Sequence, residues 1–204
     1  MSPCVSVVDD DVLVRRALGR LLQSAGFAVQ TFGSARDFLA QPIEQAPGCI
    51  VVDLSMPGLD GLELQRVLAE SDDSRPVVFI SGQGSIANSV DAMKAGAVDF
   101  LTKPIDEMVL LGAVRFAIEK DRVAREMRAA RASIEDRLAM LTPREHDVLE
   151  LVVAGRLNKQ IGAELGTAEK TVKVHRARMM RKMQVDSLAD LVRLWTLTRP
   201  PTKG

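Results

Sequence analysis

The 204-residue chain predicts an α/β fold. The expected architecture is a doubly wound (βα)5 unit with a parallel sheet, a long linker helix, and a small all-α unit. Three observations predict it. Over the first 120 residues, short apolar runs alternate five times with amphipathic helical patterns. Val5-Ser6-Val7-Val8, Cys49-Ile50-Val51-Val52 and Val77-Val78-Phe79-Ile80 are almost continuously apolar, as strands are when helices cover both sheet faces. From Asp106 onward, helical spacing replaces strand-like runs.

The strands are expected near 5–9, 28–32, 49–53, 76–81 and 98–101. Val12, Leu13, Ala17, Leu18, Leu21 and Leu22 carry the period of the first helix. Later helix starts have caps: Ser34 with Asp37 three residues on, Asp60 before Gly61, and Ser85 before Ile86. Asp106 to about Met140 reads as one long helix, with Met127, Ile134 and Leu141 recurring at seven and Leu138 between the last two. Arg122, Arg125, Arg128 and Arg131 take its more polar surface. Ala129, Ala130 and Ala132 dilute the apolar stripe, which favours a semi-rigid spacer over a dimer seam. Thr142, Pro143 and Glu145 then open a helix with an N-cap, a proline at its first position and a capping box. A short segment Asn158–Leu165, the turn Gly166-Thr167-Ala168, a basic helix from about Glu169 to Met183 and a last helix Ser187–Leu197 follow. The divisions expected are 1–120, a linker helix 121–140, and 141–204.

The formal net charge of zero conceals a split: residues 1–121 carry −7, residues 122–140 +2, and residues 141–204 +5. An acidic first half suits a metal or phosphoryl site, and a basic second half a polyanion. Cys4 and Cys49 fall on opposite faces of the expected sheet, so they read as reduced core thiols. No run is long enough to span a membrane and no leader pattern opens the chain, so a cytoplasmic, soluble protein is expected.

Chemistry gathers at the expected strand ends. Asp53 ends the third apolar run, Asp9-Asp10-Asp11 the first and Ser81 the fourth, while Lys103-Pro104 follows the fifth. In an open parallel sheet all of these meet at the carboxyl edge, where ligands bind. A carboxylate attacking phosphorus must overcome charge repulsion, and a divalent cation bridging both groups relieves it. Mg2+ would take Asp10 and Asp53 as direct ligands, Asp9 through water, and the Ser55 backbone carbonyl. Lys103 supplies a cation for phosphoryl oxygens and Ser81 a hydroxyl donor. A cis Lys103–Pro104 bond is expected to turn Lys103 inward.

Val8-Asp9-Asp10-Asp11, Asp53-Leu54-Ser55-Met56-Pro57-Gly58-Leu59-Asp60-Gly61, Ser81-Gly82 and Lys103-Pro104 resemble a response-regulator receiver domain. The stretch Asp91–Pro104 is similar to FixJ-type receivers in particular. The resemblance implies that Asp53 takes a phosphoryl group from a sensor histidine kinase. Ser81 and Phe100 would then switch, remodelling the face of the fourth helix, fifth strand and fifth helix. Ser55 and Gln83 occupy positions that influence phosphoryl lifetime in that family.

In the second half, a short helix, a glycine-containing turn and a longer basic helix form a helix-turn-helix pattern. Lys170, Lys173, His175, Arg176, Arg178, Arg181 and Lys182 charge the longer helix; Val172, Met179, Met180 and Met183 form its inward stripe. Leu141–Glu145, Asn158–Ile161 and Thr171–His175 resemble the LuxR/NarL-type domain. That resemblance implies double-stranded DNA as a partner. Lys173 and Val174 would read base edges, Lys159, Thr171 and His175 would set phosphate register, and Arg176 would join the surface. Ala168 stands where a serine cap is common, so Thr167 is the alternative cap. Ala177 stands where a base-reading cation can occur.

The function expected is phosphorylation-dependent transcription regulation, by a homodimer when phosphorylated, with RNA polymerase a candidate further partner. Two alternatives differ in class. An aspartyl-phosphate hydrolase would need a second Asp two residues after the nucleophile, where this chain has Ser55. A regulator acting by protein contact alone would leave its basic helix off DNA. The chain has no Gly-x-x-x-x-Gly-Lys loop, and neither His146 nor His175 has metal-ligand company.

Overall fold

Five strands pair in parallel in the computed structural model, which describes residues 2–42, 46–71, 73–82 and 86–198. The cap expected at Ser85 lies outside these residues, as does Gln83. In chain order the first unit runs β1 (Cys4–Val8), α1 (Val12–Ser24), β2 (Ala28–Phe32), α2 (Ala35–Leu39), β3 (Gly48–Asp53), α3 (Gly61–Ala69), β4 (Val77–Ser81), α4 (Ile86–Lys94) and β5 (Asp99–Thr102). The sheet order is β2-β1-β3-β4-β5. The order reverses beside β1, so a crevice opens where β1 and β3 end.

Burial follows from the strand sequences. Every residue of β1, β3 and β4 is buried, and the alternating side chains feed two separate apolar clusters. Val5, Val7, Cys49, Val51, Val78 and Ile80 pack on one face, and Val8, Ile50, Val52 and Phe79 on the other. Phe79 is fully buried, and its truncation to Ala should cost about 3–5 kcal/mol. Cys4 and Cys49 are free, buried thiols, and burial pushes Cys49 up to about 12. Ser34 accepts the Asp37 amide to start α2, and Asp60 with Glu63 forms a capping box on α3.

The far edge of the sheet is locked by charges that local patterns do not announce. Arg75 donates to Asp73 at 2.6 Å and to the Ser6 hydroxyl at 3.2 Å. Buried Asp121 accepts the Gly48 amide at 2.9 Å and Arg125 Nε at 2.7 Å, which ties a helix to the start of β3.

That helix, α5, runs from Glu107 to Ala139, and the chain divides into compact units at Arg125/Glu126. The second unit holds the end of α5, α6 (Pro143–Val153), α7 (Asn158–Glu164), α8 (Glu169–Met183) and α9 (Leu188–Thr198). Val148, Leu149, Ile161, Val172, Met179, Met183 and Leu191 form its core. The expected heptad stripe belongs partly to this core: Ile134 is buried in it, Leu138 packs against it, and Leu141, past the end of α5, is buried there too, whereas Met127 is exposed. Within α7, Gly162 is required where the turn into α8 packs back on it, because a Cβ there would lie 2.8 Å from the Thr167 carbonyl oxygen. α9 divides as an amphipathic helix does: Leu191 and Trp195 turn inward, while Leu188 and Val192 are exposed.

Candidate functional site

At the carboxyl edge of the first unit, β1 and β3 deliver Asp9 and Asp53 side by side, both buried. Lys103, just after β5, joins them: its Nζ donates to Asp53 Oδ1 at 2.7 Å and to Asp9 Oδ2 at 3.0 Å. The Lys103–Pro104 bond is cis. The remaining oxygens are held by backbone donors. Asp53 Oδ2 accepts the Ser55 amide at 2.9 Å, and Asp9 Oδ1 the Asp11 amide at 2.8 Å. Asp11 caps α1 through the Leu13 and Val14 amides, while Asp10 is exposed beside the crevice. Ser81 ends β4, buried, and its carbonyl accepts the Lys103 amide at 2.8 Å. Phe100 is half-buried in β5, its ring centroid 6.4 Å from that of Phe79.

Two supports stand behind these groups, of which Arg15 lacked a sequence signal. Arg15 Nη1 donates to the carbonyls of Asp9 at 2.6 Å and Asp10 at 2.9 Å, bracing the acidic loop from one turn into α1. Gly61 lets α3 start close behind the site, since a Cβ there would stand 2.7 Å from the Asp53 carbonyl oxygen.

The electrostatics are unevenly balanced. Burial pushes the Asp9 carboxyl above its ordinary value of 3.8, and the hydrogen bonds from Lys103 and the Asp11 amide recover only part of this. Burial pulls Lys103 down, but its hydrogen bonds to Asp53 and Asp9 outweigh it and leave the ammonium pKa raised. Lys103 therefore stays charged. A buried carboxylate short of positive charge, in an all-oxygen donor set, suits a hard divalent cation. Among the described residues no three His, Cys, Asp or Glu side chains converge as a metal-binding group. Mg2+ requires only one or two carboxylates beside its waters, so this donor set fits it.

In the second unit, α8 presents Thr171, Lys173, Val174 and Arg178 to solvent, and α7 presents Lys159. Lys173 pairs with Glu169 at 3.0 Å on its own helix. Two of the expected DNA residues are less accessible. Arg176 is half-buried and donates to Asn158 Oδ1 at 3.1 Å, tying α8 to α7. His175 is half-buried, and its Nδ1 is enclosed with no hydrogen-bond partner among the described residues. Thr167 does not cap α8: Ala168 is the N-cap, without a side-chain bond. Lys182 faces its own unit, donating to Glu145 Oε2 at 2.6 Å and the Met140 carbonyl at 3.0 Å.

Fold and site together define a class: a parallel α/β unit with a lysine-bridged carboxylate pair, joined by a helix to a helix-turn-helix unit. Residues 5–115 match the response regulator receiver domain, and residues 139–195 match the luxR family of bacterial regulatory proteins. The chain belongs to the response regulators that couple these two domains, the FixJ/NarL group. Nodulation protein W of Bradyrhizobium diazoefficiens is 46% identical over 190 residues, covering 93% of this chain and 84% of that protein. Transcriptional regulatory protein FixJ of the same organism is 41% identical, covering 93% of both. The solved structure of response regulator StyR is 46% identical with a TM-score of 0.88, covering 96% of this chain and 99% of that one. This protein is accordingly a two-component transcriptional regulator with a histidine kinase and DNA as its partner classes. Receiver domains generally bind Mg2+ for phosphorylation. No described helix is long and apolar enough to cross a membrane.

Proposed function

We propose that Asp53 is the phosphoacceptor through which this regulator controls DNA binding. The observation that carries it is the Lys103 bridge to Asp53 and Asp9 at the end of β3. An Asp53 oxygen forms a bond to phosphorus as the phosphorus–nitrogen bond of the donor phosphohistidine breaks, and the imidazole leaves with the electron pair. Asp10, Asp53 and the Ser55 carbonyl, with Asp9 through water, would hold Mg2+, which would supply positive charge beside the transferring group. Lys103 holds a phosphoryl oxygen and Ser81 donates its hydroxyl to another. Beside this site Val14, Ala17, Leu18 and Leu21 of α1 line an apolar groove of about 340 Å3 with Lys103, Pro104 and Ile105.

Ser81 and Phe100 form the switch, and a phosphorylated homodimer brings two copies of α8 onto paired half-sites. Lys173 and Val174 read bases, Lys159, Thr171 and His175 set phosphate register, and Arg176 supports the surface through Asn158. RNA polymerase is the further partner. The working divisions are a receiver 1–120, a linker helix 121–140 and a DNA-binding domain 141–204, and the protein acts in the cytoplasm. It has no catalytic turnover beyond gain and loss of its own phosphoryl group, and it should leave a small phosphate ester intact.

The test is the solution mass of the full chain with Mg2+ before and after a small phosphodonor, with Asp53→Asn as control. A monomer-to-dimer shift in the wild type alone is expected. Confirmed phosphorylation with unchanged mass would sink dimerisation as the switch, and phosphorylation of the Asn variant would sink Asp53 as the acceptor.

A further inference from the structure

The final turns of α5 lie in the second unit but before residue 139, where the match to the luxR family begins. We propose that Arg137 in these turns is a positioning residue for DNA recognition, holding the C-terminal end of α8 and so fixing the angle at which that helix presents its reading face. The proposal rests on α8 being the DNA-reading helix.

The last carbonyls of an α-helix have no donor within the helix, and they form the negative end of its dipole. Arg137 answers both needs at α8. Its Nη1 donates to the carbonyl of Met183, the last residue of the helix, at 3.1 Å. Its Nη2 reaches Ser133 Oγ at 3.4 Å, one turn back on α5, which orients the guanidinium. The seam beneath is packed: Met183 and Ile134 are buried in one cluster, and Leu138 leans on it. α8 then stops abruptly, because Gln184 is left-handed at φ 54° and its amide folds back on the Arg181 and Met180 carbonyls.

A second cation closes the same corner from the other side. Lys182, on the last turn of α8, reaches the Met140 carbonyl and buried Glu145. The end of the helix is therefore held by crossed cations, one arriving from α5 and one leaving α8. Lys173 and Val174 lie about 15 Å along the helix from Met183 at a rise of about 1.5 Å per residue. A tilt of about 4° at the held end moves them by about 1 Å, enough to break a directional hydrogen bond to a base edge.

The experiment uses the full chain, phosphorylated in Mg2+, and two DNA probes. One is the duplex most enriched by the wild-type protein from a random-sequence library; the other is an unselected duplex. Arg137→Gln keeps most of the side-chain stem and removes the charge. Its affinity for the enriched duplex should fall about tenfold, the worth of one base contact, with binding to the unselected duplex nearly unchanged. The slope of log affinity against log salt should stay at the wild-type value, because Arg137 touches no phosphate. Arg137→Lys should recover most of the loss. A slope reduced by about one would make Arg137 a direct phosphate contact and overturn the proposal. Unchanged affinity, or equal losses on both duplexes, would overturn it too. Should Arg137→Gln fail to fold by circular dichroism, Ser133→Ala takes its place. A loss of about twofold to threefold on the enriched duplex is then expected, because only a weak orienting hydrogen bond is removed; no loss would overturn the proposal. Failure of the wild type to bind either duplex would refute DNA reading by α8 itself, a separate result.

Discussion

Each unit contains a lysine bridged to a buried carboxylate from a distant part of the chain, and the two bridges are balanced in opposite senses. In the receiver, Lys103 joins Asp9 and Asp53; in the DNA-binding unit, Lys182 joins Glu145. The lysine side chains are similarly accessible, 27% and 34%, so the acids make the difference. One cation must serve two buried carboxylates in the receiver, and burial leaves Asp9 raised. Lys182 serves a single acid, and its hydrogen bond, with the Thr142 amide, brings Glu145 down to about 2. An under-compensated acid is a place for a further cation, whereas an over-compensated one is a fastening. The Glu145 pair belongs to architecture, where it closes the capping box on α6 and holds the end of α8.

The largest test of this contrast is Asp53→Asn, which should abolish phosphoryl incorporation from a small phosphodonor, while Glu145→Gln leaves incorporation at the wild-type level. Retained incorporation in the Asn variant would remove the receiver pair from the chemistry. Lys103→Met should slow incorporation about a hundredfold, since it removes a preorganised cation from the developing charge. Lys182→Met should leave the rate alone and lower the unfolding free energy of the DNA-binding unit by about 1.5 kcal/mol, read by chemical denaturation.

The acid limbs should diverge. Glu145 titrates near 4.5 when unfolded and near 2 when folded, so its stabilisation is complete above about pH 4.5 and drains away as pH falls toward 2. Asp9 is shifted the other way: the folded receiver binds its proton more readily than the unfolded chain does. Its contribution therefore improves as pH falls through the folded value toward 3.8. Melting Asp9→Asn and Glu145→Gln against wild type below neutrality separates the two signs; parallel slopes would erase the distinction. A smaller effect sharpens the receiver side. Asp9→Asn should raise the metal-free receiver melting temperature by a few degrees and cancel most of its gain on adding Mg2+, the added stability being binding energy. The smallest change in salt slope lies on the DNA face: Lys173→Ala should lower it by less than one phosphate, because Lys173 reads a base edge and shares its charge with Glu169.

Much of both units was legible in the sequence because the relevant signals are local or periodic. β2 spans the residues expected, and β1, β3, β4 and β5 differ by one residue at one or both ends. Ser34, Asp60 and Thr142 cap the helices they were expected to cap, because a cap is a contact of two or three residues in sequence. The strand-end acids and Lys103 were legible for another reason: an open parallel sheet brings every strand's carboxyl end to one edge. The failures were also physical. Ala168 begins α8 with no side-chain cap although Thr167 stands next to it, because the backbone leaving the Gly166 turn sets the helix start. Lys182 reads as one more charge on a basic helix, but its position at the last turn points it toward Glu145, 37 residues earlier.

From the sequence alone come the (βα)5 alternation, the helical second half, the acid–lysine constellation and the helix-turn-helix. All four follow from side-chain periodicity, helix caps and the shared edge of parallel strands. Tertiary structure alone decided which charges fasten the fold. Arg15 on the acidic loop, Arg75 on Ser6, Asp121 on Gly48, Arg137 on Met183 and Lys182 on Glu145 look like ordinary surface charges in one dimension. Nothing periodic marks them, because what makes each one matter is a buried acceptor or an orphan backbone group that only the folded chain brings within hydrogen-bonding distance.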